Sequence, residues 1–395
     1  MLHNPVAMSR PLDIFVSVCE ASADVHAASL VRAAAVHLPS ARFHGLTGPR
    51  LRTLGVDTVY DFAQHAAMLG GVIGLIGTAL HAMRLIEASW RQRRPDVVVL
   101  LDSPELHLRI AHCAHQSGLP VLYYIAPQTW ASRAGRNRQI ACDIDALACI
   151  LPFEQNYFQT HGVPRAKFVG HPLFETLARQ LPDSHRVAAL RRTGRPLIAL
   201  LPGSRRHVID ATLPLQLQTL ADMQRHGLHP HVSISAVDEA RVPQIRAWLH
   251  RFRRPAEVIV ADNASLLTAA DLVLVASGTA TLEVAYYRKP MIVMYDAGTI
   301  MGGGYRWLGR WVVKTPHLSL VNILAGKRVV PEFMPTVPDP ALVARVAADL
   351  LRNDVWRRLM QTQLDEIVRP LEASEASAGV CRIIAKLANV DTSLE

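Results

Sequence analysis

Seven residues, Ser277-Gly278-Thr279-Ala280-Thr281-Leu282-Glu283, follow a Leu/Val-rich run and open a helical pattern. Small residues at such a turn let the backbone approach a phosphate, and the free N–H groups of a helix start point at it. Glu283, roughly a turn and a half into the helix, can accept hydrogen bonds from ribose hydroxyls, as acidic residues do in dinucleotide folds. An ordinary capped helix, with Ser277 or Thr279 as cap, accounts for the same residues. A second loop, Leu201-Pro202-Gly203-Ser204-Arg205-Arg206, also ends an apolar run. Gly203 permits a tight turn, Ser204 can donate to an oxyanion, and Arg205 offers a planar, permanent charge that suits phosphate. The alternative there is a solvated loop carrying surface arginines.

Asp102 ends the run Asp96–Leu101 and is followed by Ser103 and Pro104. Pro104 fits the first helical position with Ser103 as cap, so Asp102 can serve helix-start electrostatics. It can equally serve as a general base, because a sugar hydroxyl attacking an anomeric carbon must lose a proton. In Cys19-Glu20-Ala21-Ser22-Ala23-Asp24, Ser22 and Asp24 either cap the helix that follows or meet a ligand. Asp143-Ile144-Asp145 has the Asp-x-Asp form of metal-dependent glycosyltransferases, but it precedes an apolar strand instead of following one. His112 and His115 are three apart on a helix, a spacing that 18 histidines produce by chance. Neither supports a metal site, and no His-Glu-x-x-His or phosphate-loop motif occurs.

The elements that must position these residues alternate along the chain. The spacing predicts strands at Ile14–Val18, Val97–Leu101, Val121–Ile125 and Ala146–Ile150, with helices such as Val25–His37 and Pro104–Gln116 between them. The pattern restarts with strands at Leu197–Leu201, His231–Ile234, Glu257–Val260, Leu272–Val275 and Met291–Tyr295, and helices at Leu213–His226 and Ser265–Ala270. These apolar runs barely alternate with polar residues, as in parallel sheets covered on both faces. The expected fold is α/β: two Rossmann-like doubly wound domains facing a cleft, with helices from Asp339 onward. Arg179–Pro196 reads as a linker. The expected bounds are 1–185, 186–365 and a helical tail 366–395, the tail packing on the first domain or on the partner subunit of a homodimer. Ligands in such sheets bind beyond the carboxyl ends of the strands. The residues there are Glu20 to Ser22, Asp102 and Ser103, Gln128 and Trp130, Gly203 to Arg205, and Ser277 to Thr279.

Composition narrows the partners. The chain has 395 residues, half of them hydrophobic, which is enough for two cores at about 100–200 residues per domain. A net charge of +9 favours an anionic partner, and the scattering of the arginines argues against nucleic acid. The five cysteines form no C-x-x-C pair, which fits a reducing cytoplasm. The N-terminus reads as a strand, not a signal peptide, and Ala67–Leu80 falls short of the ~20 residues a membrane-spanning helix needs. The stretch from Ala67 to Gly77 is apolar but studded with glycine, a poor helix core. It runs into Arg84, Trp90, Arg91, Arg93 and Arg94, and the segment from Tyr305 to Trp311 repeats the aromatic and basic mix. Both read as surfaces for an anionic membrane.

Together the motifs resemble the lipid-A-disaccharide synthase family, collinearly from about Ile14 to Gly326. The first half matches at Glu20-Ala21-Ser22-x-Asp24, Gly48-Pro49-Arg50, Pro95-Asp96, Asp102-Ser103-Pro104, Pro127-x-x-Trp130-Ala131, Leu151-Pro152-Phe153-Glu154 and Gly170-His171-Pro172. The second matches at Leu201 to Arg205, Ala276 to Glu283, and Leu318-Ser319-Leu320-x-Asn322-x-x-Ala325-Gly326. The resemblance implies a GT-B fold and an inverting transfer that needs no metal or other cofactor. Its donor is a UDP-linked diacylglucosamine, its acceptor a diacylglucosamine 1-phosphate, and its product the β-1,6-linked disaccharide precursor of lipid A. It implies Asp102 as base. Gly203, Ser204, Arg205, Ser277, Gly278, Thr279, Glu283 and Asn322 become donor-site residues, and Glu20, Ser22, Gln128 and Trp130 line the acceptor side or cleft. A cytoplasmic protein held peripherally at the inner membrane follows from the acylated substrates. Four places in the first domain differ from the family's usual residues: Cys19 and Ala23 replace glycines, Gly70-Gly71-Val72 lacks an acidic residue, and Ser132 replaces a tryptophan. The rival readings are another UDP-sugar-using GT-B enzyme or epimerase, and a non-catalytic homologue that binds sugar nucleotide or lipid.

Overall fold

The computed structural model describes residues 10–61, 72–296, 316–335 and 339–390. The chain divides into two compact units, Met1–Glu175 with Ser374–Glu395, and Thr176–Ala373.

The first unit runs β1 (Asp13–Ser17), α1 (Ala21–His37), β2 (Arg42–Leu46), α2 (Pro49–Thr53), β3 (Asp57–Tyr60), α3 (Val72–Gln92) and β4 (Val97–Leu101). It continues with α4 (Pro104–Gln116), β5 (Val121–Tyr124), α5 (Arg136–Asp143), β6 (Ala146–Cys149), α6 (Pro152–Thr160), β7 (Ala166–Phe168) and α7 (Pro172–Ala178). All seven strands are parallel, in the order β3-β2-β1-β4-β5-β6-β7. The central strand β4 reads Val-Val-Val-Leu-Leu, and all of it is buried, as a parallel sheet covered on both faces requires. Phe15, Ile86, Trp90, Val98, Ile110, Tyr123, Leu147 and Phe158 share one core.

The second unit runs α8 (Ser184–Arg191), β8 (Leu197–Leu201), α9 (Arg206–Arg225), β9 (His231–Ala236), α10 (Val242–Arg251), β10 (Glu257–Val260) and α11 (Asn263–Ala269). Then come β11 (Leu272–Ala276), α12 (Ala280–Tyr286), β12 (Met291–Met294), α13 (Leu320–Ala325), β13 (Glu332–Phe333), α14 (Pro340–Arg352) and α15 (Asp354–Glu372). Its parallel sheet has the order β10-β9-β8-β11-β12-β13. Arg288, just beyond α12, pins α15 by ion pairs to Asp365 at 3.0 Å and Glu372 at 2.6 Å. The chain then returns to the first unit as α16 (Ala376–Leu387), which packs on α1. Ser377 donates from its backbone N and its hydroxyl to the Glu175 carboxylate, at 2.7 and 2.5 Å.

Three sequence expectations are corrected here. The stretch 179–196 is no bare linker. Asp183 accepts from the backbone N–H groups of His185 and Arg186, capping α8, which packs on α11. Glycines notwithstanding, residues from Val72 onward form the long helix α3. Its basic end is also largely structural. Trp90 is core, Arg93 pairs with Asp13 and Asp57, and Arg94 donates to the carbonyls of Ser117 and Gly118. Residues 62–71 and 305–311 lie outside the described set. Among the described residues, no helix is long and apolar enough to cross a membrane.

Both sheets share one consequence. In each, the first strand has neighbours on two sides reached by opposite windings: β2 and β4 flank β1, and β9 and β11 flank β8. The crevice at such a switch point, beyond the carboxyl ends of the strands, is where open α/β sheets bind ligands.

Candidate functional site

In the first unit the switch point lies between β1 and β4. Glu20 and Ser22 leave the end of β1, Asp102 the end of β4, and Gln128 and Trp130 the end of the neighbouring β5. All five sequence-predicted residues of this unit therefore share one sheet edge. Glu20, Ser22 and Gln128 are exposed there, whereas Asp102 and Trp130 are half-buried.

The turn carrying Asp102 is unusual. Asp102 and Ser103 both adopt the left-handed conformation, with φ of 55° and 48°. For non-glycine residues this costs about 1–2 kcal/mol each, and it persists only where the surroundings over-determine it. Ser103 sits at the helix start but makes no capping hydrogen bond, contrary to the cap expected there. Other groups hold the turn. The Tyr123 hydroxyl donates to the Asp102 carbonyl at 2.5 Å, and His107 Nδ1 donates to the same oxygen at 2.7 Å. His107 Nε2 lies 2.8 Å from the Ser17 hydroxyl and 3.3 Å from the Cys19 thiol. Burial pushes His107 down to about 4, so the ring is neutral. Burial likewise pushes the Cys19 thiol up to about 12, which leaves it without nucleophilic character at neutral pH.

Trp130 is fastened by an Nε1–H bond of 3.1 Å to Glu154. The second Glu154 oxygen accepts from the backbone of Ile150 and Leu151, both at 3.0 Å. Burial pushes this carboxyl up to about 7, and the three N–H groups oppose that. Asp24 has a role that spacing concealed. It lies inside α1 and caps a different helix, accepting from the backbone N–H groups of Arg50 and Leu51 at 2.8 and 3.2 Å. The Glu20-to-Asp24 and Gly48-to-Arg50 motifs are thus one structural joint.

In the second unit the switch point lies between β8 and β11, paired through Leu201 and Val275. The Gly203-Ser204-Arg205 and Ser277-Gly278-Thr279 loops leave these adjacent ends together. Gly203 has φ 109°, and a Cβ there would sit 2.5 Å from Val208 Cγ1, so the turn demands glycine. Gly278 has φ 126° and faces open space, so its backbone stays accessible. The Ser204 carbonyl accepts from Arg241 Nε at 3.1 Å, tying the loop down, while Ser204, Arg205 and Thr279 are exposed. Thr279 precedes α12 without a side-chain capping bond.

Glu283 is half-buried, and both its oxygens accept from Asn263 Nδ2 at 3.1 Å. Ser235 Oγ in turn donates to Asn263 Oδ1 at 2.6 Å. Burial raises the Glu283 carboxyl while Asn263 lowers it. This chain fixes the direction in which the carboxylate can accept a hydroxyl. Sequence reasoning missed Asn263, the first residue of α11, which follows the helix cap Asp262 and belongs to no recognised motif.

Asn322, expected among the donor-site residues, is fastened inside the fold. Fully buried, it donates through Nδ2 to the Val330 carbonyl at 2.9 Å and to Glu332 at 3.0 Å. Its Oδ1 accepts from the backbone of Val329 and Val330 at 2.8 and 3.0 Å. An amide with two donor hydrogens and two acceptor sites is then saturated. Asn322→Ala is expected to lower the unfolding free energy by about 2–6 kcal/mol, since it strips the acceptor from two backbone N–H groups, those of Val329 and Val330, at ~1–3 kcal/mol each. Denaturant titration checks this, and an unchanged midpoint contradicts it.

Asp145 accepts from the Val121 N–H at 2.9 Å and Asp143 faces His112. Among the described residues no group of three or more His, Cys, Asp or Glu side chains is placed to hold a metal ion.

Comparison with known proteins gives this geometry its setting. The family model described as lipid-A-disaccharide synthetase matches residues 14–380. A lipid-A-disaccharide synthase of Solibacter usitatus (strain Ellin6076) is 36% identical over 380 residues, covering 93% of this chain and 94% of the relative. Among solved structures, a putative UDP-N-acetylglucosamine 2-epimerase from Listeria monocytogenes superposes with TM-score 0.65 at 14% identity, covering 97% of this chain and 98% of its own. MurG from Acinetobacter baumannii gives TM-score 0.55 at 14% identity, covering 95% of this chain and 99% of its own. Likeness at such low identity shows the fold alone: two parallel-sheet α/β units of the GT-B class. The sequence match is of another order, and with it the chain belongs to the lipid-A-disaccharide synthetase family.

Proposed function

We propose that this protein joins a UDP-diacylglucosamine donor to a diacylglucosamine 1-phosphate acceptor, forming the β-1,6-linked disaccharide precursor of lipid A with inversion. The observation that carries the reading is the family match across residues 14–380. The acceptor hydroxyl attacks the anomeric carbon as the bond from that carbon to the UDP oxygen breaks. The hydroxyl proton passes to the Asp102 carboxylate, and UDP leaves with the electron pair. Arg205 and the backbone N–H groups opening α9 and α12 meet the developing charge on the phosphates. Glu283, aimed by Asn263, accepts from the ribose hydroxyls. Gln128 and Trp130, with Glu20 and Ser22, line the acceptor side. A direct test follows UDP release with each substrate alone and with both. Release is expected only with both, and equal release from donor alone would contradict transfer.

The acylated substrates place the protein at the surface of an anionic membrane. On the outer face of α3, Leu80 is 54% exposed, and Arg84 and Arg91 are exposed on the same helix. Peripheral binding through such a face combines apolar insertion with attraction to headgroups. Vesicles containing anionic phospholipid should sediment with the protein at low salt. Binding should weaken as the screening length falls from ~10 Å at 0.1 M to ~3 Å at 1 M salt, and drop when Leu80→Ser and Arg84→Ser are combined. A parent protein that ignores these vesicles at low salt contradicts the placement.

A further inference from the structure

We propose that His107 and Tyr123 are positioning residues that clamp the Asp102 backbone carbonyl and thereby aim the Asp102 carboxylate at the acceptor hydroxyl. The inference rests on the reading of Asp102 as the base and adds the device that makes it effective. Four observations converge on one oxygen. Asp102 and Ser103 are consecutive left-handed non-glycine residues, so the turn would relax if nothing held it. Two donors, Tyr123 Oη at 2.5 Å and His107 Nδ1 at 2.7 Å, meet the Asp102 carbonyl. Both donors are rigid. Tyr123 lies in the core of β5 and His107 on the buried face of α4, each with 0% exposure. Finally, the far side of the imidazole is held by the Ser17 hydroxyl at 2.8 Å, from the end of β1.

The bonding sets the tautomer. A carbonyl can only accept, so Nδ1 carries the proton and Nε2 is left as an acceptor for Ser17. The clamp thus links the ends of β1, β4 and β5, the three strands whose ends carry the site residues of this unit. A carboxylate on a turn free to relax would spend much of its time misdirected, and a displacement of ~1 Å in a reacting group can cost about 10²-fold in rate.

The test compares His107→Leu, His107→Asn and Tyr123→Phe with the parent and with Asp102→Asn. His107→Leu and Tyr123→Phe are expected to lower kcat by ~10- to 10²-fold, with KM for both substrates and UDP affinity unchanged. His107→Asn, whose amide N–H can replace the Nδ1–H, should restore most of the rate. Nitrogen NMR of histidine-labelled protein should assign residue 107 as the neutral Nδ1–H tautomer. Should His107→Leu fail to fold, Tyr123→Phe, which removes a single hydroxyl, decides the matter. Parent-like kcat in Tyr123→Phe and His107→Leu, failure of His107→Asn to rescue, or an Nε2–H tautomer would each overturn the clamp. The two ideas fail separately. An active Asp102→Asn removes the base, whereas an inactive Asp102→Asn beside fully active clamp variants removes only the clamp.

Discussion

Asp102→Asn is expected to lower the transfer rate by ~10²–10⁴-fold, the usual contribution of a general base, while UDP binds as tightly as before. The substitution keeps the shape of the side chain and removes its capacity to take a proton. It also leaves the backbone carbonyl that Tyr123 and His107 hold, so the left-handed turn should survive. Asp102 belongs to the first unit, and the proposed nucleotide loops around Gly203 and Ser277 belong to the second. Rate and nucleotide affinity should therefore separate cleanly. Single-turnover kinetics measures the first and calorimetry the second. Parent-like turnover would remove Asp102 from the mechanism, and a large loss of UDP affinity would show that the substitution acts through the fold.

The second large effect is expected in the other unit. Arg205→Ala and Glu283→Ala should each weaken UDP binding by ~10- to 150-fold, the equivalent of the ~1.5–3 kcal/mol of a hydrogen bond to a charged group. Arg205 is exposed beside the Gly203 turn and immediately precedes α9, where a phosphate would gain both its charge and the helix N-terminus. Glu283 is already aimed by Asn263, so its loss removes an acceptor whose orientation is set before the ligand arrives. Asn263→Ala should reproduce part of the Glu283 effect. Unchanged UDP affinity in both Arg205→Ala and Glu283→Ala would take the nucleotide away from this edge of the second sheet.

Much of the scaffold was legible because parallel strands buried on both faces are written as short apolar runs. Val97–Leu101, Leu197–Leu201 and Glu257–Val260 were read at their observed bounds, as was the helix Pro104–Gln116. The runs were overextended where the chain turns sharply: Ile125, taken as strand, has φ 66°. The edge strands β7 and β13 have three and two residues, too few for any pattern to register. Helix α8 was hidden by composition, because its eight residues bury only Leu190. Motifs marked the right sheet edges but not the partners that serve them. Asp24 acts on a helix start 26 residues away, and His107 reads as one more residue on the buried face of a helix. Asn322 shows the converse: a motif position whose chemistry is used up inside the fold.

The central claim is tested most directly by product analysis. Purified protein is incubated with UDP-diacylglucosamine and diacylglucosamine 1-phosphate, and the lipid fraction is identified by mass spectrometry and NMR. The account predicts a single disaccharide 1-phosphate carrying all the acyl chains of both substrates, joined by a β-1,6 linkage, with UDP released in equal amount. Recovery of both substrates unchanged, or of a donor whose sugar has been epimerised in place of transfer, would contradict it.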